Sequence, residues 1–558
     1  MVNDFIYQKN YILSQAQRLL GMQDKLPLSP SRGCFQYAYW RDRASDFPDS
    51  RFQEAGAALG LIAHPLFFDS SLGVNKELLL ESLYLGLLNL KQTQHLDGSY
   101  DESYKHEHGF SVTASTTIAY GLAFYFMGEK LSNECWKLYR HVMLPACQWL
   151  MENRDGAISD QEVAGAAALA LVGKNLNEQQ FIKGAKKKYE LSLSHSDVEK
   201  WFIQVAQRDL GYCSVILDNN MLYHLITGDE RVLVSMEKLV NFLFPLLHPN
   251  ATISQEVGGG PNPYVSHLGF LLMSKHNSKA RAIVKTLSKS SPQYEGILPY
   301  LSDDMRLCRG SILAAASFIV FKELESQISN WVEQDIFTHQ IPGSYYSATT
   351  KILVHKGENF QLVFSPEIGG VIRAFSACGQ FSLEDNSYLL DDRGVSVGTI
   401  SSTSDRQISA LGPSSYEALL PFYPAKFYQP SLRFKLMRRL LGRIPGLSIR
   451  LKRMLKFYYK FKKTVSAKSL SPVKSVTPQY LLKRRIDCLD DKVRIQDNLI
   501  AVKQGTYSLA HVEEFVFIDG VRKRIDRDEA LALKEWILIK EFYLKKDGWH
   551  LNVTQGGF

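Results

Sequence analysis

The strongest constraint on this chain is a change of texture near residue 331. From Arg51 to about Phe321, apolar residues recur at helical spacing. The segments fall near 51 to 64, 77 to 94, 112 to 127, 133 to 152, 160 to 173, 211 to 227, 230 to 246, 264 to 274, 278 to 289 and 308 to 321. After about Trp331 come short runs rich in β-branched and aromatic residues, separated by Gly, Asn, Asp and Pro. They are 345 to 354, 360 to 364, 370 to 375, 397 to 400, 481 to 486, 493 to 502 and 510 to 518. Helices first and strands afterwards predict two domains, helical over 1–330 and an antiparallel β-sandwich-like unit over 331–558.

A series of helices can form a bundle, a solenoid or a ring, and a faint internal echo bears on the choice. His95-Leu-Asp97-Gly-Ser99, Asn153-Arg-Asp155-Gly-Ala-Ile-Ser159 and His248-Pro-Asn250-Ala-Thr252 each follow a long apolar helix. Each is followed within a few residues by acids: Asp101 and Glu102, Asp160 and Glu162, Glu256. Helical hairpins repeated in this way stack and bury a shared core. Recurrent loops with convergent chemistry favour a ring, with the loops around one mouth.

The densest chemistry lies in the first of these loops, Asp97-Gly-Ser-Tyr-Asp101-Glu102-Ser-Tyr104-Lys-His106-Glu107-His108. A loop on a rigid helical scaffold combines exposed groups with fixed geometry. The competing reading is a solvated turn punctuated by Asp97 and Gly98, with Ser111 or Thr113 capping the next helix. Earlier in the chain, Trp40 and Arg41 offer a flat ring and a planar guanidinium suited to a sugar surface. They serve equally to staple an N-terminal arm to the first helix. The glycines at 258–260 precede a helix without the Lys-Ser/Thr of a nucleotide-binding loop, so a nucleotide is not expected there.

No apolar run of roughly 18 residues occurs, and the first residues carry no secretory pattern, so a cytoplasmic protein is expected. The seven cysteines have no zinc-like spacing, which predicts reduced, mostly buried thiols, no metal and no cofactor. Residues 426–474 hold fifteen Lys or Arg and no acid, and removing them from the net charge of +8 leaves −7. Leucines and aromatics between the charges predict contact with an anionic membrane surface, peripheral on the inner face. Nucleic acid is the competing anionic partner and is not expected, since no nucleic-acid fold surrounds the segment.

Several motifs together resemble a known group. They are Phe35 with Tyr39-Trp40, Asp46-Phe-Pro-Asp-Ser-Arg51-Phe-Gln53-Glu54, the Asp97 to His108 loop, Asp209-Leu-Gly211-Tyr212, Gln255-Glu256-Val-Gly258 and Asn262-Pro-Tyr264. The chain is similar in these to toroid proteins of bacterial polysaccharide gene clusters, relatives of the heparinase II/III-like polysaccharide lyases. The resemblance implies an incomplete (α/α) toroid followed by a β-sandwich, with an acidic glycan held in the toroid cleft.

A lyase acting on uronic acids needs a group that neutralises the carboxylate, a base for the C5 proton and an acid for the leaving oxygen. Candidates are Asn262 or Asn220 as neutraliser, His108 or His267 as base, and Tyr212 or Tyr264 as acid. Glu102 and Glu256 complete the catalytic candidates. Trp40, Arg41, Asp97, Asp101, Tyr104, Glu107, Asn262 and His267 are candidates for binding substrate. Asn220, Tyr223 and His224 share a helix face, a spacing that packing also explains. The surplus of carboxylates keeps a glycoside hydrolase with paired acids open as an alternative. A non-catalytic glycan-binding or scaffold protein is the third reading. A terpene cyclase-like ring ranks last for want of an Asp-Asp-x-x-Asp cluster.

Overall fold

The computed structural model of the protein describes residues 12–557 except 14, 69–72, 155–158, 194–209, 254–264, 288–302, 329–341, 348–351, 367–368, 386–387, 393–394, 400–406, 425–431, 433–435, 437–479, 502–510, 519–520 and 526–534. The basic insertion therefore lies outside the described residues, apart from Leu432 and Leu436.

After a short turn at Tyr37–Trp40, the helices are α1 Glu54–Ile62, α2 Lys76–Thr93, α3 Phe110–Met127, α4 Asn133–Glu152, α5 Ser159–Asn175, α6 Gln179–Leu193, α7 Leu210–Thr227, α8 Arg231–Leu243, α9 Leu268–Met273, α10 Ser278–Leu287 and α11 Asp304–Ile328. The odd-numbered helices pack in sequence from α1 through α3, α5, α7 and α9 to α11, and α11 packs back on α1. The even-numbered helices lie outside, each against an inner neighbour. This is a ring of helical hairpins. Inner helices are apolar on nearly every side: in α3 all but Ser111, Tyr125 and Phe126 are buried, as expected of a helix surrounded by others.

Two departures from the sequence reading have physical reasons. Helix α6 was not anticipated, because Lys183, Lys186, Lys187 and Lys188 dilute the apolar stripe of an outer helix. Neither Ser111 nor Thr113 caps α3: Gly109 is the N-cap without a side-chain bond. Thr113 Oγ1 instead accepts from Tyr100 N at 3.0 Å and donates to Gly109 O at 2.7 Å.

Close packing of α1 on α2 fixes the approach to the mouth. A Cβ on Gly56 or Gly86 would stand 2.5 or 2.4 Å from the Tyr120 hydroxyl. That hydroxyl donates to Gln53 O at 2.9 Å and so ties α3 to the turn ahead of α1. Gln53 is fully buried, and its side chain joins Phe35 N and Asp49 O. Gln36 Oε1 accepts from Asp49 N at 2.8 Å, so the N-terminal arm clamps residues 49–53.

Beyond the helices lie two antiparallel sheets. The larger, ten-stranded sheet starts with Gly343–Ser347, Ile352–Lys356, Phe360–Ser365, Val371–Ser376 and Ser382–Asp385 and continues through His511–Ile518. The six-stranded sheet runs in the order Gly548–Gly557, Glu535–Lys545, Lys492–Ala501, Tyr480–Leu489, Ser415–Pro421 and Gln407–Gly412. Residues of both, among them Leu362, Ile372, Leu482, Ile495 and Phe542, share one core, which makes a sandwich.

That core also buries charge. Arg484, Lys540, Asp385 and Asp497 are fully buried. Arg484 Nε meets Asp497 Oδ1 at 2.7 Å, and Nη2 meets Asp385 Oδ1 at 2.9 Å. Lys540 reaches both carboxylates, and the Tyr388 hydroxyl donates to Asp497 at 2.6 Å. Asp385 belongs to the larger sheet and the other three to the smaller, so the quartet pins the sheets together.

The helical and β parts meet at the α8–α9 connection. Gln361 Nε2 donates to Leu247 O at 3.2 Å, and the His248 and Phe375 rings stack with centroids 4.2 Å apart. None of the seven cysteines is in a disulfide, and six are buried. Among the described residues, no helix is long and apolar enough to cross a membrane.

Candidate active site

Connections that lead from an outer helix into an inner one open on one end of the ring, because successive helices alternate in direction. The 94–109 loop is such a connection, between α2 and α3. The turn 49–53 lies beside it, with Ser50 N donating to Asp101 O at 3.0 Å.

The loop is built around Asp101, which is mostly buried. Its Oδ1 bonds His95 Nε2 at 2.8 Å and accepts from His108 N at 3.0 Å, while Oδ2 accepts from His106 N at 2.7 Å. His106 and His108 have left-handed backbones, with φ 61° and 52° respectively. The carboxylate thus satisfies the amides of the two residues whose conformation costs most. Burial works against its charge, yet the bond from His95 and the two amides hold its proton affinity below the usual carboxylate range.

Asp97 anchors a second histidine. Its Oδ2 lies 2.7 Å from His108 Nδ1, and its Oδ1 accepts from Ser99 N at 3.0 Å and Ser99 Oγ at 2.6 Å. A carboxylate only accepts, so Nδ1 of His108 carries the proton and Nε2 is left as the basic nitrogen. Despite partial burial, the bonds from His108 and Ser99 keep Asp97 well below an ordinary carboxylic acid. The His95 and His108 rings stack at 4.0 Å with an interplanar angle of 22°. Burial opposes charge on His95, but its bond to Asp101 and the charges of Asp101 and Asp97 raise its affinity for a proton. The three loop histidines do not converge on one point: among the described residues no group of three or more His, Cys, Asp or Glu is placed to hold a metal ion.

Arg51 forms the other side of the loop. Its Nε meets Glu102 Oε1 at 2.6 Å, and its terminal nitrogens donate to Ser111 Oγ at 2.9 Å and Ser115 Oγ at 3.3 Å. Ser115 Oγ in turn donates to the buried Glu54 at 2.8 Å, and Arg309 of α11 stands 3.6 Å from the same carboxylate. Glu107 Oε2 accepts from Glu102 N at 3.1 Å and Ser103 N at 2.6 Å. Asp49, buried nearby, is pushed up to about 7 by burial and by the charge of Glu102, against the amide of Arg51.

The structure brings Asp97, Asp101, Glu102, Glu107 and His108 together, with Tyr104 half-buried among them. Arg51, Glu54, His95, Ser99 and Arg309 join them although none was a sequence candidate for the site. Arg51 and Glu54 lay within a quoted motif, which was the available signal. Tyr212 is half-buried near the start of α7, another inner helix. Glu256, Asn262 and Tyr264 lie outside the described residues. Trp40 donates its indole N–H to Met22 O at 2.9 Å, and Arg41 pairs with Asp42 and covers the Tyr37 ring. Both serve the N-terminal staple.

Two candidates are corrected, and the helix face that Asn220 shares with Tyr223 and His224 is packing. His267 is buried and bonds Leu287 O at 3.1 Å, and burial pushes it down to about 4, so it packs as a neutral ring. Asn220 is buried, with its amide nitrogen donating to Ile216 O within α7. Tyr223 and His224 bind Asp229 at the far end of α7, away from the mouth.

The internal echo has a geometric counterpart. In 95–99, Gly98 N donates to His95 O at 2.8 Å and His95 N to Ser99 O at 3.0 Å. In 248–252, Ala251 N donates to His248 O at 3.0 Å and His248 N to Thr252 O at 2.9 Å. Asn250 Oδ1 accepts from Thr252 N and Oγ1, as Asp97 does from Ser99. Among the described residues the same turn is found at these two places, the third echo at 153–159 lying largely outside them; one copy carries the histidine pairs and the other docks the sandwich.

No protein-family model matches the chain, and no curated protein matches it. Among solved structures it is similar to the Streptomyces coelicolor A3 chondroitin AC lyase in complex with chondroitin sulphate, and to a variant of that enzyme. Both matches have a TM-score of 0.44 and 10% identity, and cover 91% of this chain and 67% of the other.

Proposed function

We propose that the protein is a carbohydrate-active enzyme that cleaves an acidic polysaccharide by β-elimination, with His108 as the base. The observation that carries this reading is the Asp97–His108 pair, 2.7 Å apart, which orients a partly exposed imidazole and leaves its Nε2 free of any hydrogen bond among the described residues. A carboxylate that fixes one ring nitrogen and stabilises the charge arising on the other is a general-base arrangement.

Arg51 supplies the cation that a uronate carboxylate requires, and Glu102 holds its guanidinium in place. Tyr212 and Tyr264 are the proposed acids; Glu256 and Asn262 complete the substrate contacts. The heparinase II/III-like resemblance of the sequence motifs supports the same reading. Hydrolysis by paired carboxylates fits less well. It needs an accessible acid that keeps its proton, whereas the loop carboxylates engage cations or amides. Asp49 and Asp218, both pushed up to about 7, are 7% and 1% exposed.

The test is incubation with polysaccharides containing glucuronic, galacturonic or mannuronic acid. Elimination produces an unsaturated uronate that absorbs in the ultraviolet, and His108→Ala abolishes it. New reducing ends without that absorbance would replace elimination by hydrolysis; neither product would leave glycan binding. Attachment of 426–474 to an anionic membrane face belongs to this proposal on sequence grounds alone. Vesicle flotation that weakens with salt supports it, since surface attraction is screened.

A further inference from the structure

We propose that Arg309 is a positioning residue for Arg51: it holds the buried Glu54 carboxylate from the α11 side and so leaves the Arg51 guanidinium at the mouth, where a substrate carboxylate can reach it. This rests on the reading of Arg51 as the cation for a uronate.

From α11 to the mouth loop runs a line of alternating charge, Arg309, Glu54, Arg51 and Glu102, with the Ser115 hydroxyl of α3 between the middle two. Arg309 Nη1 stands 3.6 Å from Glu54 Oε2, and Ser115 Oγ donates to Glu54 Oε1 at 2.8 Å. Arg51 Nη1 donates to Ser115 Oγ at 3.3 Å, and its Nε meets Glu102 at 2.6 Å. The direction of this line is fixed. A hydroxyl has one proton, and Ser115 gives it to the carboxylate rather than to the neutral carbonyl of Val112 at 3.3 Å. Its lone pairs are left for Arg51.

Glu54 is the member that makes Arg309 necessary. Its side chain is fully buried, and Oε2 accepts no hydrogen bond among the described residues. A buried carboxylate left without a cation is strongly unfavourable. Arg309 stands beyond hydrogen-bond length, so what it supplies is charge. Without it, the cation one hydroxyl away is Arg51. Drawn inward to Glu54, Arg51 would give up Glu102 and Ser111, the contacts of 2.6 and 2.9 Å that hold it at the mouth. Asp218 of α7 lies in the field of the same Arg309 guanidinium, so the test must separate the two carboxylates.

The experiment compares full-chain variants by kinetics on a polysaccharide containing glucuronic or galacturonic acid, and by crystal structure. Arg309→Met is expected to raise KM about tenfold with kcat little changed, the order of one lost charge-assisted contact. Arg309→Lys recovers most of that loss, because charge at this distance suffices. Arg309→Met with Glu54→Gln also recovers it, because nothing then draws Arg51 inward. Arg309→Met with Asp218→Asn does not. In the crystal structure of Arg309→Met, the Arg51 guanidinium lies within hydrogen-bond distance of Glu54.

A KM that stays raised in the double variant with Glu54→Gln overturns the proposal, since Arg309 would then meet the glycan itself or act by packing. Recovery with Asp218→Asn overturns it too. Should Arg309→Met alone not fold, Glu54→Gln is compared with the double variant: equal KM values uphold the proposal, and a higher KM in the double variant overturns it. The structural readout does not depend on turnover. Arg51 still on Glu102 and Ser111 in Arg309→Met overturns the proposal, whereas Arg51 turned onto Glu54, in a protein that cleaves no acidic glycan, would uphold the positioning and remove the elimination reading.

Discussion

Arg51 and Glu102, 51 residues apart in the chain, meet at 2.6 Å and join the turn before α1 to the loop before α3. Their side chains are 17% and 29% exposed. Removing one partner leaves the other charge partly desolvated without compensation. Arg51→Ala is expected to cost about 1–3 kcal/mol in urea unfolding. A double-mutant cycle with Glu102→Gln should return a favourable coupling energy. If Arg51 only braces the loop, Arg51→Lys restores stability and activity together; if it binds the glycan carboxylate, stability recovers while KM stays raised.

Gly98 tests the geometry of the loop. Its φ is +93°, and a Cβ there would stand 2.2 Å from the Pro145 carbonyl oxygen. Gly98→Ala therefore combines backbone strain with a clash against helix backbone. A loss of roughly 2 kcal/mol or more in stability is expected, with activity falling as Asp97 and Ser99 move. An unaltered melting temperature would mean that the loop is not seated on α4.

Asp49 and Asp218 predict a slope of stability with pH. Both are raised from ordinary carboxyl values to about 7, chiefly by burial. The folded state then binds more protons than the unfolded state between about pH 4 and 7. Their contribution is fully present below the unfolded value and is lost as pH rises through 7. Asp218→Asn should flatten this slope, gaining on the order of 2 kcal/mol relative to wild type between pH 5 and 8. Chemical denaturation at the two pH values measures it.

The buried quartet of the sandwich predicts an asymmetric response. Lys540→Met leaves Asp385 and Asp497 with one cation, Arg484, and should cost about 3–5 kcal/mol. Removing Asp385 as well, in Lys540→Met with Asp385→Leu, restores charge balance and should recover part of the loss. Equal destabilisation in both variants would show that packing, not charge, dominates there.

Helical texture was readable because burial imposes its period: the expected 133 to 152 coincides with Asn133–Glu152, and 112 to 127 nearly with Phe110–Met127. Strands such as Glu535–Lys545 and Gly548–Gly557 escaped because Lys540, Lys545 and His550 interrupt the apolar alternation. The loop at Asp97 to His108 was conspicuous because its chemistry is contiguous. What joins it was only partly visible: Arg51 and Glu54, in the turn before α1 and at its start, lay within a quoted motif, whereas Arg309 arrives from α11 and only folding makes the three neighbours. The abundance of acids suggested a carboxylate pair. In three dimensions Asp101, Glu102 and Glu107 are spent on a histidine, an arginine and backbone amides.

The packing of α11 on α1 has a further consequence for how the helical part comes apart and forms. An open row of helical hairpins frays from its terminal units, each held on one side only. Among the described helices the row has no free end: the first inner helix is also the neighbour of the last, and Arg18 pairs with Asp304 across a sequence separation of 286 residues. Unfolding has no cheap starting point, so it should be cooperative around the whole circuit. Folding meets the converse penalty, because closure waits for segments that synthesis separates by most of the helical part. Until α11 is made, α1 must leave one flank, including the fully buried Glu54, without its final cover.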